Sequence, residues 1–257
     1  MRALAPLLFA GCALLGAGHA HAKPRTAKHA PKHAGPVAWC APEVESLGDG
    51  VCHIDGGQPA GRRTLVIFLH GAIAKNVDWQ WTQERALLRQ AKASKFEALF
   101  PRAPLGESGY LWPGSAEGQK AHEAALLASW RRARKKLEAR QGRPFDEVFV
   151  MGFSSGAYYV SSLANRGAVQ ADGFGVFAGG ALMRWPVSAS TPKPPFFVGV
   201  CADDAQTATH GRGLGGSLSA HRWPHKVDER RVGHMYADGH VASALSYLRA
   251  ARDAAKR

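Results

Sequence analysis

The sequence has few of the residues and patterns that mark metal-binding, repetitive or membrane-spanning proteins. Its 257 residues include only four cysteines, and neither Cys-x-x-Cys nor His-Glu-x-x-His occurs, so zinc motifs of these types are excluded. We find no internal repeat and, beyond the N-terminal segment, no apolar run long enough to span a bilayer. With 46% hydrophobic and 21% charged residues, the composition is that of one globular domain with a sizeable core.

Acidic residues are also scarce. Twenty aspartates and glutamates stand against 33 lysines and arginines, which gives a formal net charge of +13. Basic residues cluster in 23–36 and in 131–136, a segment with a helical pattern. A solvated helix face is the simpler interpretation of the second cluster. The alternative is electrostatic contact with an anionic cell envelope or acidic polysaccharide. No motif indicates nucleic acid as a partner.

The first part of the chain has the pattern of an export signal. A positively charged start is followed by an apolar run at 3–17 and by the small-residue pattern Ala20-His21-Ala22. This order predicts a signal peptide over residues 1–22 and a secreted or periplasmic protein. Residues 23–36 carry four basic residues and three prolines, which predicts a basic, Pro-containing linker. The globular domain is then expected over residues 37–257.

The four cysteines are consistent with export. Cys12 closes a segment that could alternatively be read as a lipoprotein cleavage box. Cys40 and Cys52 enclose a short loop, and this spacing suits a disulfide in an oxidising compartment. Cys201 follows an apolar run and is interpreted as a small, buried, unpaired side chain.

Apolar patterning along the chain predicts alternating strands and helices. Runs typical of strands buried in a parallel sheet occur at 63–69, 97–100, 147–151, 173–178 and 195–201. A short edge strand is expected at 51–55 and a more polar last strand at 225–232. Helical patterns occur at 78–94, 119–141, 155–165 and 241–252. This alternation predicts a single α/β domain with a doubly wound, mostly parallel sheet.

The pattern Gly-x-Ser-x-Gly occurs at 152–156, directly after the apolar run at 147–151 and before a helical segment. A serine on such a strand-to-helix turn is held in a strained backbone conformation that exposes its Oγ above the sheet. Side chains in place of Gly152 or Gly156 would collide with this crowded turn. The context predicts that Ser154 is a nucleophile. The alternative is a glycine-rich β-to-α turn without chemistry.

A serine hydroxyl needs an adjacent base, and that base needs a carboxylate to orient it. On this architecture the expected order along the chain is Ser, acid, His. Asp203 and Asp204 directly follow a late core strand, where the acid is expected. His234 lies at the first turn after the last predicted strand, and His240 lies at the start of the final helix. We expect His234 to be the base, with His240 as the alternative.

An oxyanion hole needs two backbone donors. The N–H of Ser155, directly after the nucleophile, is the first candidate. The second is the N–H of Ala72, in the turn after the first core strand, where Gly71 permits tight turning. His70 is expected to hold this turn by hydrogen bonds to loop backbone. Among several aromatic residues in loops above the predicted sheet, Trp112 is expected to line a substrate pocket.

These motifs resemble the α/β-hydrolase superfamily, and most closely its phospholipase/carboxylesterase branch, which includes acyl-protein thioesterase-like and dienelactone hydrolase-like enzymes. The resemblance runs from about residue 64 to residue 248. It rests on Leu69-His70-Gly71, the Gly-x-Ser-x-Gly at 152–156, the acid after Val198-Gly199-Val200, and Gly233-His234.

The resemblance favours Asp204 over Asp203, because the branch places its acid last in a His-Gly-x-x-Asp frame. It favours His234 because of its spacing to Tyr247-Leu248. The sequence departs from the branch in lacking the His-Gly pair before the acid and a second glycine after Gly71.

The expected function is a secreted serine hydrolase that cleaves carboxylic esters through a Ser-His-Asp triad and an acyl-enzyme, with no metal or organic cofactor. Expected substrates are small or medium esters, or acyl groups carried on a polymer. Two alternatives keep the fold: a non-catalytic domain that binds envelope polysaccharide, and a serine peptidase.

Overall fold

A computed structural model describes residues 37–57, 61–181 and 191–257. The strands are β1 (Glu45–Gly48), β2 (Val51–Asp55), β3 (Thr64–Leu69), β4 (Ile73–Ala74), β5 (Glu97–Pro101), β6 (Gly109–Tyr110), β7 (Glu147–Phe153), β8 (Gly173–Phe177), β9 (Phe196–Cys201) and β10 (His225–Arg230). The helices are α1 (Trp79–Ser94), α2 (Ala116–Gln141), α3 (Ser155–Arg166), α4 (Ala205–Ala220) and α5 (Asp238–Ala255). The predicted signal peptide, the linker and Cys12 lie outside the described residues.

Eight strands form the main sheet in the order β1-β2-β5-β3-β7-β8-β9-β10. The six strands from β5 to β10 in that order run parallel, whereas β1 and β2 pair antiparallel with their neighbours. The expected single α/β domain with a mostly parallel sheet is therefore confirmed. Since the carboxyl ends of parallel strands meet at one edge, the loops after β3, β5, β7, β9 and β10 all lie together.

Two apolar layers cover the sheet. One face packs against α2, α3 and α4 through residues such as Trp130, Tyr159 and Leu214. The other packs against α1 and α5 through residues such as Leu87 and Leu248. Both faces are therefore buried, which is why β3, β7 and β9 read as nearly continuous apolar runs.

The edge of the sheet differs from the prediction. β2 was expected at the edge, but β1 pairs outside it, joined by a turn in which Asp49 and Gly50 both have positive φ. β1 has the sequence Glu-Ser-Leu-Gly and lacks a buried side chain, so it shows no apolar alternation. Backbone hydrogen bonds to β2, rather than burial of apolar side chains, hold β1 in the sheet.

Cys40 and Cys52 form a disulfide, with their Cα atoms 5.5 Å apart. It attaches the segment before β1 to β2. Trp39 in this segment lies 5.0 Å, ring to ring, from His70. Cys201 is a free, buried cysteine, as expected. Among the described residues, no helix has the length and apolar character needed to cross a membrane.

Candidate active site

β7 passes directly into α3, and Ser154 lies between them with φ 51° and ψ −117°. This left-handed φ is unfavourable for a residue with a side chain. Two glycines make the turn possible. A Cβ on Gly152 would lie 2.5 Å from the carbonyl oxygen of Gly156, and a Cβ on Gly156 would lie 2.2 Å from that of Leu69. The spacing of the motif is thus fixed by backbone contacts, and the turn aims the Ser154 side chain away from the core.

Three side chains meet above this turn. The hydroxyl of Ser154 lies 2.9 Å from Nε2 of His234. Nδ1 of the same ring lies 2.5 Å from Oδ2 of Asp204. With Nδ1–H donating to the carboxylate, Nε2 is left to accept the serine proton. The structure thus brings Ser154, His234 and Asp204 into one hydrogen-bonded chain. In the sequence, His234 lies 80 residues after Ser154 and 30 residues after Asp204.

The alternative acid and base lie elsewhere. Asp203 is exposed, and its backbone N–H donates to the carbonyl of Val232. His240 is completely buried in the first turn of α5, with its ring 6.2 Å from that of Phe177. Burial lowers the pKa of His240. Neither residue takes part in the chain that contains Ser154.

The loop that carries His234 is anchored on both sides. The thiol of Cys201 donates to the carbonyl of Met235 at 2.9 Å. The hydroxyl of Tyr236 donates to the carbonyl of Gln83 in α1. The ring of Phe153 packs 5.0 Å from the imidazole itself. These contacts fix the position of the loop, yet the His234 side chain remains 45% exposed, so its ring is reachable from solvent.

Asp204 has a second donor. Oγ1 of Thr207, in the first turn of α4, lies 2.5 Å from the same Oδ2 that faces His234. Burial opposes ionisation of this carboxyl, but the hydrogen bonds from Thr207 and His234 outweigh it, so the pKa of Asp204 lies below its usual value. The group is therefore an ionised acceptor at neutral pH, as orienting and stabilising an imidazolium requires.

The turn after β3 lies against the nucleophile. A Cβ on Gly71 would be 2.9 Å from the ring of Phe153 and 3.3 Å from Cβ of Ser154, so only glycine fits. The N–H of Gly71 donates to Oε1 of Gln83 at 3.0 Å. The next N–H, that of Ala72, belongs to an exposed residue at the mouth of the site.

His70 holds this turn, as expected. Nδ1 lies 2.5 Å from the carbonyl of Gly71, and Nε2 accepts the N–H of Ala103 at 3.0 Å. The ring is fully buried, and burial lowers its pKa to about 4. His70 is therefore a neutral structural residue at physiological pH.

The other candidate donor is the N–H of Ser155, the first residue of α3. The first N–H groups of a helix have no partner within it and carry partial positive charge. Ser155 directly follows Ser154 in the chain, and Ala72 directly follows Gly71, where an added Cβ would lie 3.3 Å from Cβ of Ser154.

A cavity of about 270 Å³ opens beside Ser155. Its walls are mainly aromatic and apolar: Trp112, Pro113, Gly114, Ser155, Tyr158, Tyr159 and Ser162. Trp112 is only 5% exposed, is stacked on Tyr159 at 5.6 Å, and donates from Nε1 to the carbonyl of His70 at 2.8 Å. Trp112 therefore lines the cavity, and its hydrogen bond to His70 holds the turn that carries Ala72.

Sequence reasoning missed one polar pair beside the cavity. The glycine-rich residues 205–220 form α4, and Nδ1 of His210 in this helix lies 2.6 Å from the hydroxyl of Tyr158. Tyr158 follows Ser154 by one helical turn. That spacing was visible in the sequence, whereas its partner in α4 could be found only from the tertiary structure.

The residues described hold no group of three or more His, Cys, Asp or Glu side chains suited to binding a metal ion. No known protein family matches the sequence, and no curated protein matches it.

Solved structures do match the fold. A structure of YahD with malic acid superposes with a TM-score of 0.58 at 16% identity, covering 78% of this chain and 99% of that one. A carboxylesterase from Mesorhizobium loti gives 0.55 at 20% identity, covering 80% and 98%. The Bacillus cereus carboxylesterase gives 0.57 at 16% identity, covering 78% and 93%. The chain has the α/β-hydrolase fold expected from its motifs.

Proposed function

We propose that this protein is a serine hydrolase that cleaves carboxylic esters through an acyl-enzyme intermediate. The observation that carries the proposal is the continuous hydrogen-bonded chain from Ser154 through His234 to Asp204. A nucleophile, a base and an orienting carboxylate in this order are the requirements of acyl transfer by serine.

In the first half of the reaction, Nε2 of His234 takes the Ser154 proton while Oγ attacks the ester carbonyl carbon. Asp204 stabilises the imidazolium that forms. The carbonyl oxygen becomes an oxyanion, which accepts hydrogen bonds from the N–H groups of Ser155 and Ala72. The bond to the alcohol oxygen then breaks, and the alcohol leaves with the proton from His234.

In the second half, a water molecule replaces the alcohol. His234 takes a proton from this water, which attacks the acyl carbon on Ser154. The second oxyanion collapses, the bond to Oγ breaks, and Oγ recovers its proton from His234. The exposed position of the His234 side chain, at 45%, gives water direct access to this step.

Two further observations support an ester substrate. The structural neighbours named above include proteins described as carboxylesterases. The aromatic cavity beside Ser155 suits a compact acyl group, because its 270 Å³ lies below the ~300–1,000 Å³ of pockets for drug-sized ligands. We propose that Trp112 contacts this group.

Export is part of the proposal. The predicted signal peptide over residues 1–22 and the disulfide between Cys40 and Cys52 both support a secreted or periplasmic enzyme, since disulfides persist in oxidising compartments. The substrate is then a small ester or a polymer-borne ester outside the cytoplasm.

Replacing the nucleophile tests the function. Ser154→Ala should lower kcat for p-nitrophenyl acetate by about 10⁴-fold or more, because no attacking oxygen remains. Circular dichroism and the thermal midpoint should stay close to those of the parent protein. Ser219→Ala, on the exposed side of α4, is the matched control and should keep full activity. Unchanged turnover in Ser154→Ala would remove Ser154 from the mechanism.

A further inference from the structure

Five large apolar side chains stand out as exposed among the described residues: Trp79 at 51%, Leu105 at 58%, Leu111 at 41%, Val227 at 41% and Met235 at 50%. Four of them share one edge of the sheet. Trp79 opens α1 after β3, Leu105 and Leu111 follow β5, and Met235 follows β10. The exception is Val227, in the middle of the edge strand β10. We call Trp79, Leu105, Leu111 and Met235 the apolar rim.

Backbone pairing brings one half of the rim to the nucleophile. β4 and β6 pair antiparallel with Ile73 opposite Tyr110, and continuing this register places Leu111 opposite Ala72. Leu105 forms a bridge with Tyr110. Leu105 and Leu111 therefore lie together, next to the turn proposed to bind the oxyanion.

The other half of the rim lies by the proposed base. Met235 directly follows His234, and the hydroxyl of the next residue, Tyr236, donates to the carbonyl of Gln83. Gln83 lies one helical turn after Trp79. The loop of Met235 and the start of α1 are thus joined. Apolar side chains border the site on both the oxyanion side and the base side.

We propose that the apolar rim docks the enzyme on the surface of a solid, uncharged polyester, so that chain segments enter the open site at Ser154. This inference rests on the proposed esterase function. Exposed apolar groups that cluster at a site mark an interaction surface. A protein seated on this rim would cover Ser154, whereas a surface that itself carries the ester would present its substrate there.

The charges around the rim favour an uncharged surface. Each of the three segments that carry it, 72–79, 102–111 and 231–238, has one cation and one anion. The charged pairs are Lys75 and Asp78, Arg102 and Glu107, and Arg231 and Asp238. Adsorption to an anionic bilayer needs an excess of lysine and arginine at the contact. The basic excess of this chain is concentrated elsewhere, as in residues 131–136 of α2.

The size of the cavity favours a polymer of short units over a droplet of long-chain lipid. A cavity of ~150 Å³ holds benzene, so 270 Å³ accommodates a compact unit rather than a long acyl chain. The site is also open, because the His234 side chain is 45% exposed. A polymer chain can therefore pass across Ser154 without a free end having to enter.

Adsorption of an inactive protein tests the inference without consuming the surface. The mature chain with Ser154→Ala is mixed with poly(butylene succinate) particles, and the free protein is measured after centrifugation. Adding Leu105→Ser, Leu111→Ser and Met235→Ser together should weaken adsorption about tenfold or more, since three exposed apolar contacts are lost. Adding Val227→Ser instead should leave adsorption unchanged.

A second measurement uses active protein. Hydrolysis of the particles, divided by hydrolysis of p-nitrophenyl acetate in the same sample, should fall about tenfold in the triple rim variant and stay constant in Val227→Ser. Circular dichroism verifies that both variants are folded.

Equal adsorption of the rim variant and Val227→Ser would overturn the inference. So would rim-dependent binding to phosphatidylglycerol vesicles or triolein droplets that exceeds binding to the particles. Because adsorption of Ser154→Ala involves no turnover, its result is separate from the esterase assay. If the parent protein does not hydrolyse p-nitrophenyl acetate, the proposed esterase function itself is wrong.

Discussion

The two ends of the parallel strands use their polar side chains differently. At the amino ends, buried carboxylates form ion pairs that connect strands to one another and to α5. At the carboxyl ends, the polar side chains of the site are partly exposed, and the backbone is held in an unfavourable conformation at Ser154. We call these two ends of the parallel strands the amino edge and the carboxyl edge. Because both belong to one sheet, comparing them separates the residues that stabilise the fold from those that could act in catalysis.

The amino edge contains two networks. In the first, Arg63 is 2% exposed and lies 3.0 Å from Glu97, whose other oxygen contacts Nε2 of His53 at 3.0 Å. His53 in turn contacts Glu45 at 3.1 Å. Burial lowers the pKa of His53, but these two glutamates outweigh it, and the pKa is raised overall. The network thus ties β2 to β1 and β5.

In the second network, Glu147 at the start of β7 has no exposed side-chain surface. It accepts hydrogen bonds from Arg249 at 2.7 Å and from the hydroxyl of Thr64 at 2.6 Å. α5 is thereby tied to β7 and β3 at the end of the sheet remote from Ser154. A buried carboxylate with such partners is costly to disturb, since its removal leaves the arginine uncompensated.

At the carboxyl edge, the ionised carboxylate of the site belongs to the triad. Asp204 is ionised, is bonded to His234 and Thr207, and is 17% exposed. The division resembles that of other α/β folds, in which ligands and reacting groups gather at the carboxyl ends of the strands. Changes at the two edges should therefore have separable effects on activity and on stability.

The largest expected effect is on activity at the carboxyl edge. Asp204→Asn should lower kcat by about 10⁴-fold, because an amide favours the wrong imidazole tautomer and cannot stabilise the imidazolium. Thermal unfolding should change little. Asp203→Asn is the matched control, one residue away and exposed. Steady-state kinetics measure kcat for both variants. An equal loss of kcat in the two would show that Asp204 is not the acid of the triad.

The next effect belongs to the amino edge. Glu147→Gln should lower the free energy of unfolding by about 1–3 kcal/mol, because Arg249, which is 28% exposed, loses its charged partner. Turnover measured well below the unfolding transition should be unchanged. Urea denaturation measures the free energy of unfolding, and ester hydrolysis measures turnover. Asp49→Asn, which breaks the exposed pair with Arg132 at 2.7 Å, should alter both far less. A large drop in kcat for Glu147→Gln would show that the two edges are coupled.

Two buried carboxyls, those of Glu97 and Glu84, have pKa values shifted in opposite directions. Burial favours the protonated form of Glu97, but His53 and Arg63 outweigh it and lower the pKa of Glu97. Glu84 in α1 is fully buried as well, and burial raises its pKa from 4.5 to about 8. It accepts the N–H of Ala41 at 2.7 Å.

Glu84 therefore contributes stability that is complete below pH ~4.5 and is lost as the pH rises through about 8. Over that window the free energy of unfolding of the parent protein, relative to Glu84→Gln, should fall by up to about 1.4 kcal/mol per pH unit. Urea denaturation at a series of pH values measures the difference between the two proteins. Parallel pH profiles would show that Glu84 is not protonated in the folded state.

Much of the site could be predicted from the sequence, because the Gly-x-Ser-x-Gly motif at 152–156 is a short pattern between an apolar strand and a helix. Gly152 is required by a contact inside the motif, with the carbonyl of Gly156, whereas Gly156 is required by the carbonyl of Leu69 in β3. The turn at Ser154 could nevertheless be recognised from the spacing of the two glycines after an apolar run. The apolar runs of β3, β7 and β9 are equally local. The choice of Asp204 and His234 depended on order along the chain and on the family resemblance.

What could not be predicted depends on pairing between distant segments. β1 is short and polar and exists through its ladder with β2. α4 contains four glycines between 211 and 216, residues that disfavour helix, yet it packs on β9 and supports His210 beside Tyr158. The arginine–glutamate pairs of the amino edge, Arg63 with Glu97 and Arg249 with Glu147, join residues 34 and 102 positions apart, so no local sequence pattern predicts them.

The proposed mechanism requires Ser154 to be an activated nucleophile. Reaction of the mature protein with a fluorophosphonate probe, followed by peptide mapping, tests it most directly, since such probes react with serines activated by a base. We expect one adduct, on Ser154, that is absent from Ser154→Ala and strongly reduced in Asp204→Asn. If the folded protein takes no label, or takes it on another residue, Ser154 is not an activated nucleophile.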